Sequence, residues 1–163
     1  HKEYRRQRQM CIRDRRQTHL LHEQISHELF IQASIDTVYY YVTQPDRWPE
    51  WHPSSLRADT GLCGSLPAGH RFSETMDLLG VQLPISYRVL VAVFPKEFKT
   101  LFSSAALDGS IHYQLSKQGD GTLFRRTLEY ATDLQLSGLR ARMEQLSSQA
   151  LGNLKQRLEQ PDD

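Results

Sequence analysis

A chain of 163 residues, 39% apolar and 24% charged, is long enough to bury one sizeable core and has the composition of a globular protein, which excludes disorder of the whole. Its longest unbroken apolar run, Val89 to Phe94, is far too short to cross a bilayer, and Cys11 and Cys63 stand far apart with no CxxC partner. Neither a disulfide framework nor a cysteine-based zinc site is indicated, no cofactor is implied, and a reducing, cytoplasmic setting is the expectation.

The net charge of +1 conceals an asymmetry. Residues 1 to 16, "HKEYRRQRQMCIRDRR", hold seven Lys or Arg against Glu3 and Asp14, so the rest of the chain carries about −4. A basic arm of this kind can meet phosphates of nucleic acid or of an acidic membrane surface. It lacks the apolar h-region of a secretory signal. Residues 1 to 21 read as a basic leader, disordered by composition or an artefact, since "RQMCIRDR" resembles a translated sequencing-adapter peptide. No functional weight is placed on it. One domain is expected over residues 22 to 160, with 161 to 163 as a tail.

In chain order, "QISHELFIQA" sets Ile25, His27, Leu29 and Ile31 on one face and Ser26, Glu28 and Phe30 on the other, the period of a strand. Ser34 offers an N-cap, Asp36 suits the positive helix terminus, and Ile35, Val38 and Val42 fall on one helical stripe that must stop by Pro45. "PDRWPEW" suits a second short helical turn, with Trp48 and Trp51 three apart on one face. From Leu56 the period changes. Phe72, Glu74, Met76 and Leu78 alternate with Arg71, Ser73, Thr75 and Asp77; Ile85, Tyr87, Val89, Val91 and Val93 alternate with Ser86, Arg88 and Ala92. "EFKTLFSSA", "SIHYQLSK" and "GTLFRRTLEYAT" follow, with turn signals at Phe94-Pro95, Asp108-Gly109 and Gly119-Asp120-Gly121. Such a series makes an antiparallel meander. Ser137 can cap a last helix running to about Gln160, with Leu139, Met143, Leu146, Ala150, Leu154 and Leu158 as its apolar stripe and Pro161 as its stop. That stripe needs a partner, and the concave side of the sheet is the large surface on offer.

The histidines do not converge by spacing. His19, His22 and His27 lie near the start, His52 follows Trp51, and His70 and His112 stand alone, with His112 expected on the outer face of its strand. No HExxH, GxSxG, GxGxxG or GxxxxGK[ST] occurs, so local sequence builds no zinc site, nucleophile elbow or phosphate cradle. Metal ligands are not expected. Nucleic acid binding would depend on the leader, because the body is mildly acidic and its aromatics alternate inward. Stable membrane attachment is not expected, since the last helix has a mixed-charge polar face and needs its stripe for the core.

The segment "FIQASIDTVYYYVTQPDRWPEWHP", then "AGHRF", the "GDGTLFRRTLEY" hairpin and the closing "ALGNLKQRLEQ" resemble the SRPBCC superfamily, the START-like polyketide cyclase/dehydrase and lipid transport group, over about residues 22 to 160. The resemblance implies an α+β helix-grip fold: a curved seven-stranded antiparallel sheet around the long C-terminal helix, two short helices after strand 1, and a deep hydrophobic cavity. None of these motifs is a catalytic signature.

Within that fold, alternation nominates Phe72, Met76, Leu78, Tyr87, Val89, Val91, Phe98, Phe102, Tyr113, Leu128 and Tyr130, with Met143 and Leu146 of the helix and Trp48 and Trp51 of the short turn, as cavity walls. The resemblance places Trp51 as a structural wall residue. Periodicity says which side chains face inward, not whether the inside is full. Glu74 and Arg126 are the polar exceptions on inward faces. A buried charge needs a partner or a wet cavity, so they either pair with each other or grip a ligand: Arg126 a carboxylate or enolate oxygen, Glu74 a transferable proton. They are the candidate catalytic residues.

The function expected is binding or carriage of a small hydrophobic or amphipathic molecule by a monomer or homodimer. Two alternatives follow from the resemblance: a polyketide cyclase/aromatase-like enzyme using cavity polar groups for proton transfer, and an interaction module like the Hsp90 co-chaperone. A polar group beside Tyr87 or Tyr130 in the cavity favours the enzyme.

Overall fold

The computed structural model describes residues 20 to 160; residues 1 to 19, with Cys11 and His19, and residues 161 to 163 lie outside the described residues, and with them the expected leader and tail. In order, the elements are β1 (Leu21–Ile31), α1 (Ile35–Val42), a 3-10 helix (Pro45–Glu50), β2 (Ser55–Asp59), β3 (Arg71–Leu78), β4 (Val81–Val93), β5 (Glu97–Ser103), β6 (Leu107–Gln118), β7 (Gly121–Thr132) and α2 (Leu139–Glu159). The strands form one antiparallel sheet in the order β1-β7-β6-β5-β4-β3-β2. Strands β1 and β2 are neighbours in sequence and lie at opposite edges, so α1 and the 3-10 helix carry the chain across the sheet.

Local chemistry explains the boundaries. The Ser34 hydroxyl accepts the Thr37 N–H at 3.2 Å and starts α1. At the other end, Thr43 donates its N–H and its hydroxyl to the Tyr39 carbonyl, and Pro45 follows two residues later. Ile35, Val38 and Val42 of α1 are buried on its inner side. In α2, Leu139, Met143, Leu146, Ala150 and Leu154 form the buried stripe, joined by Ser147 and Leu151, while Leu158 is only partly covered. Removing a fully buried leucine such as Leu154, 0% exposed, would cost about 2–5 kcal/mol.

Three local expectations fail for identifiable reasons. The turn expected at Asp108-Gly109 lies inside β6, and the chain reverses at residues 104 to 106 instead. Gly109 is there for space: a Cβ would lie on the Glu129 carbonyl oxygen and 2.9 Å from the Phe102 ring. Ser137 does not cap α2, which is preceded by Gly138 at φ 80° with no side-chain cap bond. Finally, the β4–β5 register shifts between Val89 and Val91, so Val89 pairs with Thr100 but Ala92 pairs with Phe98. This bulge at Leu90 turns Val91 and Val93 onto the outer face with Lys99 and Glu97. Val91 is therefore not a cavity wall. His112 does lie outside, with Nε2 2.7 Å from Glu97.

Candidate ligand-binding site

Between the inner face of the sheet and α2 lies a hollow of about 50 Å³, enough for a few waters. Most of the interior is thus filled by side chains, and the deep cavity implied by the family resemblance is reduced to a small chamber. Of its wall residues only His52 and Met76 are partly exposed; the rest are buried. The chamber approaches the surface where those two residues meet the short edge strand β2.

The 3-10 helix supplies one wall. Trp48 and Trp51, 4% and 1% exposed, both face the chamber. Trp48 donates its indole N–H to the Val42 carbonyl at 3.0 Å and packs edge-on against Phe72 and Tyr87. Trp51 packs against Tyr113, and its indole N–H has no partner. Ile85, Leu107, Ile111 and Leu128 from the strands, with Met143 and Leu146 from α2, complete an apolar lining.

Two buried charges stand in this lining. Glu74, 7% exposed, accepts hydrogen bonds from the Ser55 hydroxyl at 2.5 Å and the Tyr87 hydroxyl at 2.6 Å. Burial raises its pKa, while the two hydrogen bonds and the positive Arg126 work the other way. Tyr87 is held well above its ordinary value, first by burial and then by the Glu74 charge. Arg126, 4% exposed, sits opposite Tyr113 in the β6–β7 register and donates Nη1–H to the Ser147 hydroxyl at 2.9 Å. Its Nε–H has no partner. Among the described residues no carboxylate lies within 4.0 Å of it, so Glu74 and Arg126 do not form the ion pair that their shared inward facing allowed.

His52 joins them. Its Nδ1 lies 3.1 Å from the Ser54 N–H and its Nε2 3.4 Å from Arg126 Nη2. Burial and then the Arg126 charge push its pKa down to about 3, so the ring is neutral at ordinary pH. Tyr113 is pushed up to about 12 by burial, against the pull of Arg126.

Of the residues nominated from sequence, Trp48, Trp51, Glu74, Met76, Tyr87, Phe102, Tyr113, Arg126, Leu128, Met143 and Leu146 border the chamber. Phe72, Val89, Phe98 and Tyr130 do not: Phe72 stacks on Tyr87 at 4.7 Å, Phe98 stacks on Tyr113 at 6.1 Å, Val89 is core, and Tyr130 lies beside Glu23 and Arg140. Leu78 is likewise buried outside it. The lining also holds His52, Ser54, Ser55, Ile85, Leu107, Ile111 and Ser147, which the sequence pattern does not nominate. Ser147 had a signal, lying four residues after Met143 on the inner stripe. His52 had none, because its partner Arg126 is 74 residues away.

A larger open depression, about 1440 Å³, crosses the sheet at the level of Ser73, Ser86 and Ser103. It holds Tyr130 and polar side chains such as Arg71, Arg88 and Glu129, several of them exposed, and shares Tyr87 and Phe102 with the chamber but not Glu74, His52 or Arg126.

A family model described as polyketide cyclase/dehydrase and lipid transport matches residues 22–159. The chain belongs to that family. None of the curated proteins matches it. Among solved structures, the aromatase/cyclase Zhui from Streptomyces sp. R1128 superposes with TM-score 0.71 at 13% identity, covering 85% of this chain and 94% of that one. A START superfamily protein from Mycobacterium smegmatis gives 0.67 at 17%, covering 83% and 97%. Protein MLL2253 from Mesorhizobium loti gives 0.65 at 21%, covering 86% and 100%. At these identities the likeness establishes the START-like helix-grip fold of a polyketide cyclase/dehydrase family member and nothing finer. Within the described residues no helix is long and apolar enough to cross a membrane.

Proposed function

We propose that this protein binds a small, largely apolar molecule in the chamber between sheet and α2, with Arg126 as the polar anchor. One observation carries the reading: a buried guanidinium in an apolar wall keeps an unpartnered Nε–H and has no carboxylate within 4.0 Å among the described residues. An uncompensated buried charge costs several kcal/mol, which a ligand bearing an oxygen acceptor offsets. Small-molecule pockets commonly span about 300–1,000 Å³, so uptake must enlarge this one. Met76 and Met143 are suited to that, being unbranched and adaptable.

Native mass spectrometry and uptake of a hydrophobic dye by the full chain test the reading. The expected result is a bound small molecule or dye in the wild type that is lost in Met143→Trp, with circular dichroism confirming that the variant folds. A wild type that takes up neither overturns it.

A second reading, proton transfer to or from the bound molecule, is favoured by the Ser55–Glu74–Tyr87 cluster, in which burial raises the pKa of a carboxyl beside a phenol. One structural neighbour is itself named an aromatase/cyclase. If this chain shares such chemistry, it exchanges the α-protons of 4-phenyl-2-butanone for deuterium in heavy water, and Glu74→Gln stops the exchange. Exchange no faster than in buffer removes this reading and leaves the binding one standing.

A further inference from the structure

His52 and Arg126 present a donor conflict that bears on which ligand chemistry the chamber suits. A neutral imidazole has one N–H and one lone pair. In His52 both ring nitrogens face donors: Nδ1 faces the Ser54 backbone N–H at 3.1 Å, and Nε2 faces Arg126 Nη2 at 3.4 Å. The shorter contact takes the lone pair, which leaves the proton on Nε2, directed at a guanidinium that has no lone pair to offer. The resulting N–H to N–H contact has no acceptor in it, and the longer of the two distances is where it falls.

The surroundings add donors. Arg126 Nε–H is unpartnered, Arg126 Nη1 is already committed to Ser147, and the Trp51 indole N–H is unpartnered. The carboxylate acceptor of the chamber, Glu74, is occupied by Ser55 and Tyr87. Even with the Tyr113 hydroxyl beside Arg126, the chamber has more buried N–H groups than acceptors to receive them. His52 is one of the two partly exposed wall residues, so the chamber also lies next to the surface there.

We infer that the occupant is a carboxylic acid bound as its carboxylate, whose oxygens are received by Arg126 and by the Nε2–H of His52, with its apolar body against Trp48, Trp51 and Met143. The inference deepens the binding function proposed above and rests on it. A carboxylate supplies two acceptor oxygens in one plane, the complement of a guanidinium with free N–H groups beside a second donor. A neutral alcohol or ketone supplies one oxygen and no charge, leaving the guanidinium uncompensated. His52 here is a binding residue through one nitrogen, while the Ser54 N–H fixes its tautomer through the other.

The experiment compares an acid with its neutral counterpart on the full chain: 3-phenylpropanoate and 3-phenylpropan-1-ol, by isothermal titration at neutral pH. The expected result is tenfold or more tighter binding of the acid, a preference lost in Arg126→Gln and reduced about threefold or more in His52→Phe. Nitrogen-15 spectra of the imidazole provide a readout independent of variant folding: the acid shifts the protonated Nε2 resonance and leaves Nδ1 as the unprotonated nitrogen. If the alcohol binds as tightly as the acid, or Arg126→Gln keeps the preference, the head-group assignment is overturned while the binding reading survives. If neither compound binds, the carboxylate inference is overturned, while dye uptake and native mass spectrometry decide the binding reading separately.

Discussion

Glu74 and Arg126 occupy the same chamber, on strands β3 and β7, and are buried to nearly the same degree, yet their surroundings differ in completeness. Each carboxylate oxygen of Glu74 accepts from a hydroxyl of its own fold. Arg126 is given the Ser147 hydroxyl, the neighbouring Tyr113 hydroxyl, a histidine ring that is already engaged, and nothing for its Nε–H. A folded chain tends to complete its buried polar groups. That contrast is the ground on which the binding function proposed above rests.

Substitutions sharpen this contrast. The largest effect is expected from Glu74→Ala, which strands the Ser55 and Tyr87 hydroxyls and opens a void; thermal unfolding should show a loss of about 3 kcal/mol. A loss smaller than that of Arg126→Met would break the comparison.

Acidity comes next. His52 has its folded pKa depressed to about 3 from 6.5, so the unfolded chain binds the proton more readily, and stability falls as pH drops from about 6.5 towards 3. The slope from this group approaches about 1.4 kcal/mol per pH unit. His52→Gln should flatten denaturant midpoints across that range. Glu74 acts with the opposite sign: its folded pKa is raised, so its contribution is complete below the ordinary carboxyl value and is lost as pH rises through the folded value. Glu74→Gln should flatten that higher-pH side and leave the acid side steep.

Tyr87→Phe removes one of the two donors to Glu74 and should cost about 1 kcal/mol in chemical denaturation. The smallest change is expected from Arg126→Met. Exchanging an uncompensated guanidinium for an apolar side chain removes a desolvation cost and loses one hydrogen bond, so stability should move by less than about 1 kcal/mol.

Much of the architecture was legible because each element announces itself locally. Alternation in β3 put Glu74 inward beside Phe72 and Met76, the Arg125-Arg126 pair ensured that one arginine faced the interior, and the spacing of Trp48 and Trp51 placed both indoles on one side. What was not legible depends on contacts between distant segments. Nothing near Leu90 says that its strand bulges, yet one extra residue sends Val91 outward. Asp108-Gly109 has the composition of a turn, but the glycine answers to Phe102 and Glu129 on neighbouring strands. His52 has no polar partner at ligand spacing in the sequence, and the one it meets in the fold arrives from β7. The volume of the chamber is also not a property of pattern, since the same inward residues serve a filled interior or an open one.

The 3-10 helix is fastened to α2 by few bonds: Asn153 Nδ2 donates to the Trp51 carbonyl at 3.1 Å, and Arg157 reaches Glu50 at 2.7 Å near the surface. If the chamber takes up a molecule larger than a few waters by way of His52 and Met76, the segment carrying Trp48 and Trp51 has to shift, and these bonds resist that shift. Uptake should then saturate at a first-order rate set by the protein and not by the ligand's concentration, and residence time should shorten in salt, which screens the exposed Arg157–Glu50 pair. Asn153 and Arg157, neither of which lines the chamber, would in that way govern how long a guest stays, with little influence on which guest is chosen.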